Sequence, residues 1–277
     1  MHLTREHIDA YCLSLLADER SAGTISKYRH DLTAFARWLD GRAVTKESAT
    51  AWKACLLNRD YAPRTVNAML AAVNGFCRFA GLPIKLKFLS IQRQIFRDSS
   101  RELTKEEYDR LLAAAREGDQ ERLALIMETL CATGIRVSEL RYITVEAALA
   151  GRATITLKGK IRTILLPAKL CRKLVKYARK QKIAAGEIFL TSSGKGISRR
   201  QVWFELKRLC KAAGVEPTKV FPHNLRHLFA TTFYRAQRDI VRLADMLGHS
   251  SIDTTRIYLT VSGTEQQRQL DRLGLVS

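Results

Sequence analysis

Ala153-Thr154-Ile155-Thr156-Leu157-Lys158-Gly159-Lys160-Ile161-Arg162-Thr163-Ile164-Leu165-Leu166 is the stretch on which the fold class turns. Ala153 to Leu157 alternates in polarity, Ile161 to Leu166 is rich in β-branched residues, and a glycine separates them, so the stretch reads as a β-hairpin. Outward from it the apolar residues recur at helical spacing. Leu32, Phe35, Ala36 and Leu39 fall at i, i+3, i+4 and i+7, as do Val66, Met69, Leu70 and Val73. Gly41 and Gly81 stand where helices would stop, and Pro63 where one would start. Thr104 followed by Glu107 is a capping-box pattern, and Leu123, Ile126, Met127 and Leu130 mark a buried helix. Helical patterns return from about Ala168. One small antiparallel sheet in helical surroundings predicts a mainly α protein.

The stretch from Lys85 to Arg101 is basic and lacks periodicity. The expected organisation is therefore a helical bundle over residues 1–90, a linker over 91–102, and an α-rich domain with a small sheet over 103–277. With 277 residues, 46% of them hydrophobic, the chain can build one large core or two small ones. No apolar run approaches the roughly 18 residues of a membrane span, and Met1 to His7 lacks the apolar stretch of a secretory signal. Six scattered cysteines without a Cys-x-x-Cys pair read as reduced core thiols, which predicts a cytoplasmic protein.

Charge narrows the class of partner. Lys and Arg exceed Asp and Glu by 20, which calls for a polyanion, nucleic acid or an anionic membrane surface. Residues 150–220 alone hold 18 Lys and Arg against Glu187, Glu205 and Glu216. An excess sustained over a hairpin and several helices favours a phosphate-facing surface over a merely solvated one.

Several residues could do chemistry on a phosphodiester. Pro222 suits the first position of a helix, which places His223 and Arg226 on one face near its anion-favouring N-terminus. Leu225, Leu228 and Phe229 would face the core. Ile240, Leu243 and Leu247 form a stripe that ends at Gly248, with His249 next and Tyr258 nine residues on. Alone, Tyr258 reads as a core tyrosine, and Arg136 as an ion-pair partner of Glu139. Together, two arginines, two histidines, a lysine and a tyrosine meet the needs of phosphoryl transfer to a phenol. Guanidinium groups clamp non-bridging oxygens, imidazoles exchange protons, and the phenol is the nucleophile. The sequence offers no cluster of carboxylates with histidines that would hold a metal.

Three segments, Ala132-Thr-Gly-Ile-Arg-Val-Ser-Glu-Leu140, Pro222-His-Asn-Leu-Arg-His-Leu-Phe-Ala-Thr231, and Leu247-Gly-His249 followed by Tyr258, resemble the signature boxes of the tyrosine recombinases in order and spacing. Thr24-Ile-Ser-Lys-Tyr-Arg-His-Asp-Leu32 and Arg64-Thr-Val-Asn67 resemble that family's helical, SAM-like core-binding domain. The resemblance implies that Arg136 and Arg226 hold the scissile phosphate of duplex DNA at a specific core site, with His223 and His249 completing its cage. Tyr258 would attack to form a 3′-phosphotyrosyl link and release a 5′ hydroxyl, with neither metal nor nucleotide cofactor. It further implies a homo-tetramer on two DNA sites, a Holliday-junction intermediate, and exchange of a C-terminal helix, here Gly263 to Ser277, between protomers. The chain is too short for an extra arm-binding module, so the compact type used for integration, excision or dimer resolution is the expected one.

The family's lysine lies in the hairpin turn, usually within Gly-Lys-Gly-x-Lys, and this chain is one residue shorter there. Lys158 shares the polar strand face with Thr154 and Thr156, so with Gly159-Lys160 as the turn it is the expected general acid, with Lys160 the alternative. Lys27, Arg64, Lys160, Arg199 and Arg200 are the expected DNA contacts. His227 reads as structural and Glu139 as an orienting group. A type IB topoisomerase or a non-catalytic DNA-binding regulator would share the fold, and a membrane-surface protein would share the charge.

Overall fold

The computed structural model describes residues 1–92, 99–157, 160–258, 267–268 and 271–273. The fold is mainly α, with two antiparallel strands as its described sheet. The chain divides into two units, Met1–Arg93 and Gln94–Ser277. No described helix is long and apolar enough to cross a membrane. The six cysteines are free thiols, with Cys12, Cys77 and Cys210 buried.

The first unit comprises α1 (Arg5–Ala17), α2 (Ala22–Leu39), α3 (Lys46–Asn58) and α4 (Pro63–Phe79). Thr4, Ser21 and Thr45 cap the first three, each side-chain oxygen accepting a backbone N–H that the helix cannot satisfy itself. The fourth starts on Pro63, whose missing N–H costs nothing there. Leu32, Phe35 and Leu39 of α2 and Val66, Met69, Leu70 and Val73 of α4 are buried in one core, whereas Ala36 is half-buried. At the end of α2, Asp40 and Gly41 both take positive φ (47° and 77°).

Part of the stretch that reads as irregular is held down. Asn74 on α4 donates to the Leu86 carbonyl (2.9 Å) and accepts from the Leu86 N–H (2.7 Å). Asn67, two turns earlier, does the same to Leu89 (2.9 and 2.8 Å). The extended segment thus finds in two side-chain amides the partners a sheet would supply, and Leu86 is buried beneath it.

The second unit runs α5 (Lys105–Glu117), α6 (Glu121–Thr133), a 3₁₀ turn (Val137–Tyr142), α7 (Val145–Ala150), β1 (Arg152–Leu157), β2 (Lys160–Leu165), α8 (Ala168–Lys180), α9 (Arg199–Ala213), α10 (Pro222–Gln237), α11 (Ile240–Leu247), α12 (Ile252–Thr255) and a last 3₁₀ turn (Arg256–Tyr258). The capping box of Thr104 and Glu107 opens α5, with both reciprocal bonds formed. Helix α6, with Ile126, Met127 and Leu130 fully buried, is central and packs against α10. A small satellite core of Ala230, Leu243, Leu247 and Tyr258 joins α10, α11 and the last turn.

The hairpin pairs Arg152 with Leu165 through to Leu157 with Lys160. Lys160 therefore opens β2, which corrects the expectation that it forms the turn with Gly159. Lys158 and Gly159 lie outside the described residues, as does most of the expected C-terminal helix. Ala153, Ile155 and Ile164 face inward, and Thr154, Thr156, Ile161, Thr163 and Leu165 face solvent. By parity Arg162 shares the inward face with Ile164.

Candidate active site

Arg226 lies on α10 and is 2% exposed. Its guanidinium donates to the Gly134 carbonyl at the end of α6 and to the Leu247 carbonyl at the end of α11 (2.7 Å). It also bonds His249 Nε2 (3.0 Å) and the Tyr258 hydroxyl. Two carbonyls, an imidazole nitrogen and a phenol are all neutral acceptors. Burial accordingly lowers the Arg226 pKa from 12.5 to about 10, and nearby Arg136 works in the same direction. A buried cation whose contacts are neutral is a site prepared for an anion.

Arg136 reaches the same site by a different route. Helix α6 ends at Gly134, where φ is +65° and an added Cβ would lie 2.3 Å from Phe229 Cδ1, so only glycine fits. The chain then turns, and the Arg136 N–H and Nη1 donate to Glu139 Oε2 (2.7 Å) and Oε1 (3.1 Å). The Glu139 side chain is 1% exposed, but that of Arg136 is 44% exposed and open to a ligand.

His249 follows Gly248, the left-handed residue that stops α11. Its Nε2 faces an Arg226 donor, so its proton sits on Nδ1, which donates to Thr255 Oγ1 (2.8 Å). Burial, followed by Arg226, Arg136, Arg162 and His223, pushes the His249 pKa down to about 4. His223, exposed at the start of α10, is also lowered, by desolvation of its ring and then by Arg226, Arg136 and Arg199. Tyr258 is 4% exposed. Its ring stacks parallel to that of His249 (6.2 Å between centroids) and meets His227 edge-on at 5.1 Å. His227 is thus a wall of the tyrosine's pocket rather than a general core residue.

Five of the six expected catalytic residues, Arg136, His223, Arg226, His249 and Tyr258, come together. The sixth, Lys158, lies outside the described residues. Of the expected DNA contacts, Arg64 is exposed in the first turn of α4, and Arg199 and Arg200 are exposed in the first turn of α9. Lys27 ion-pairs with the buried Asp31 (2.5 Å). Lys160 is placed by its backbone at the start of β2. Among the described residues no group of His, Cys, Asp or Glu is arranged to hold a metal.

One residue of the site escapes the reading of the sequence. Arg162 donates to Glu139 Oε2 (2.7 Å) and to the Met246 carbonyl (2.7 Å), joining β2 to α11. With Arg136, Gly248 and His249 it lines a cleft of about 690 Å³.

Residues 101–265 match the phage integrase family, and residues 8–81 match the phage integrase N-terminal SAM-like domain. The chain belongs to the phage integrase family, and it is a tyrosine recombinase. Tyrosine recombinase XerA of Pyrococcus furiosus is 30% identical over 281 residues, covering 99% of this chain and 96% of its own length. XerC of Roseiflexus castenholzii is 33% identical, over 91% of this chain and 88% of its own. Among solved structures, a lambda integrase tetramer bound to a Holliday junction shares the fold at a TM-score of 0.71 and 20% identity, covering 91% of this chain and 76% of that one. XerH bound to its difH substrate does so at 0.69 and 18% identity, over 97% of this chain and 84% of that one. For a tyrosine recombinase, the clustering of two arginines, two histidines and a tyrosine is chemically apt.

Proposed function

We propose that this tyrosine recombinase cleaves and rejoins duplex DNA at a specific core site, with Arg136, Arg226, His223 and His249 binding the scissile phosphate and Tyr258 attacking it. Tyr258 gives its phenolic proton to an imidazole of the site as its oxygen forms the new bond to phosphorus, the bond to the 5′ oxygen breaks, and that oxygen takes a proton from Lys158. The energy of the broken ester is kept in the 3′-phosphotyrosyl link, so a 5′ hydroxyl from a second duplex can reverse the step and exchange strands. The observation that carries this reading is Arg226, a buried cation whose neutral partners include both the tyrosine hydroxyl and His249. Arginines there serve the phosphorane, whose extra charge they bind more tightly than the ground-state diester.

In the same reading, residues 1–90 form the core-binding domain, 91–102 the linker and 103–277 the catalytic domain. Lys27, Arg64, Lys160, Arg199 and Arg200 contact DNA. Four copies assemble on two sites through exchange of the C-terminal helix, and the protein works in the cytoplasm. Integration, excision and dimer resolution all use this chemistry.

The test is to incubate the protein with fragments of genomic DNA and isolate duplexes that survive denaturation attached to it. Sequencing them should reveal one recurrent core site, and Tyr258→Phe should bind DNA yet yield no adduct. Adducts that persist in Tyr258→Phe, or binding with no adduct in the unaltered protein, would refute the assignment.

A further inference from the structure

We propose that Arg162 is a positioning residue for the phosphate site: it is the standing counter-ion of the buried Glu139, and so leaves the Arg136 guanidinium available to phosphate. The inference rests on the reading of Arg136 as a phosphate ligand.

The Glu139 side chain is 1% exposed, and its two oxygens are held by three arginine N–H donors. Its Oε2 receives the Arg136 N–H and Arg162 Nη2, both at 2.7 Å, while Oε1 receives Arg136 Nη1 at the longer 3.1 Å. A buried carboxylate with one cation cannot release it, because an unpaired charge in that setting is severely penalised. With Arg136 as its sole partner, Glu139 would compete with phosphate for the same guanidinium. Arg162 removes that competition. Its side chain is only 16% exposed, against 44% for Arg136, so the two arginines divide between a structural and a solvent-facing role.

The geometry holds Arg162 to that task. Its second nitrogen is spent on the Met246 carbonyl, and its stem packs on Gly248, where an added Cβ would fall 2.6 Å from Arg162 Cδ. Strand β2 supplies the inward direction. The same guanidinium thereby fixes the carboxylate behind Arg136 and the helix end that delivers His249. A lysine would keep the charge that Glu139 needs and give up only the second bond, to the Met246 carbonyl.

The test uses the full-length protein and inorganic phosphate, so it is independent of cleavage and of Tyr258. Arg136→Ala defines the part of the phosphate affinity that depends on Arg136. Arg162→Met should lose that part, a weakening of about tenfold, comparable to the loss of one charged hydrogen bond. Adding Glu139→Gln to Arg162→Met should restore most of it, since a neutral amide no longer captures Arg136. Arg162→Lys should lie close to the unaltered protein. If Arg162→Met fails to fold, Glu139→Gln and the double variant are compared, and they should bind phosphate alike. Unchanged affinity in Arg162→Met, no recovery in the double variant, a further tenfold loss on adding Arg162→Met to Glu139→Gln, or phosphate affinity indifferent to Arg136 would each overturn the proposal. Absence of a Tyr258 adduct with DNA would instead count against the recombinase chemistry.

Discussion

Replacing Arg226 by methionine should abolish strand cleavage and leave the fold nearly as stable as before. The lowering of its pKa from 12.5 to about 10 means that the folded state holds the cation at a cost of about 3 kcal/mol relative to water. The sign follows from proton linkage. Between pH 10 and 12.5 the unfolded chain binds more protons, so stability rises with pH there, and at neutral pH the whole cost is present. Methionine removes it. Against this gain, the Gly134 and Leu247 carbonyls lose their donors, at about 1–2 kcal/mol each. The two effects nearly cancel, so the melting temperature should move by no more than about 4 °C, the shift produced by roughly 1 kcal/mol in a domain of this size. Catalysis has no such compensation. Loss of donors to the phosphorane should slow adduct formation by at least about a hundredfold. Thermal unfolding in anion-poor buffer and single-turnover adduct formation on a pool of genomic fragments measure the two quantities. A fall of more than 10 °C, the equivalent of about 3 kcal/mol, would show that the guanidinium is a pillar of the fold. Unimpaired adduct formation would remove it from the site.

Gly248→Ala should sharply reduce adduct formation, because it combines a positive φ of 64° with a collision against Arg162, whereas Gly214→Ala, at φ 58° in open space, should cost only about 1 kcal/mol of stability. For His249, whose pKa is depressed from 6.5 to about 4, the contribution to stability is intact above pH 6.5 and is lost as pH falls towards 4. Urea unfolding as a function of pH should show that slope, and His249→Asn should flatten it. Asn74→Ala should cost about 2 kcal/mol in urea unfolding, since it strips both backbone partners from Leu86; an effect below 0.5 kcal/mol, the scale of an ordinary surface substitution, would deny the tether. Lys158→Ala should cleave a normal duplex poorly but recover on a 5′-bridging phosphorothiolate, whose sulfur departs without a proton; recovery in Lys160→Ala alone would move the acid by two residues.

What the sequence discloses here is local physics. The capping box at Thr104 and Glu107, the start of α4 at Pro63, the stop of α11 at Gly248 and the hairpin all depend on neighbours a few residues apart, and each is in place. Distant partners are a different matter. Arg162 meets a carbonyl 84 residues away, and nothing near it in sequence announces that contact. Its strand even misleads, because Ile161 and Leu165, 73% and 77% exposed, turn to solvent while the arginine turns inward. The register is settled by β1, where Ala153 and Ile155 are buried, and a cation opposite Ile155 was the available signal. The tether of residues 86–89 escaped for a similar reason. Asn67 and Asn74, seven apart on one face of α4, are visible as a pair only once the chain is known to fold back over them.

The two glycines that close α6 and α11, Gly134 and Gly248, do more than end helices. The last carbonyls of a helix carry about half a negative charge between them, and Gly134 and Gly248 turn the chain just where the carbonyls of Gly134 and Leu247 point at Arg226. Two helix ends together supply roughly one negative charge to the buried guanidinium. That is enough to hold the cation in place, yet the carbonyls, unlike a carboxylate, are spread dipoles that a phosphate does not have to displace. The true carboxylate of the site, Glu139, is kept on the far side of Arg136 and shared with Arg162. Positive charge is therefore concentrated where the diester would sit, and burial, followed by Arg226, Arg136, Arg162 and His223, holds the His249 pKa low. An anion bound there would oppose the charges and leave the burial, so it would move the His249 pKa upward from that low value.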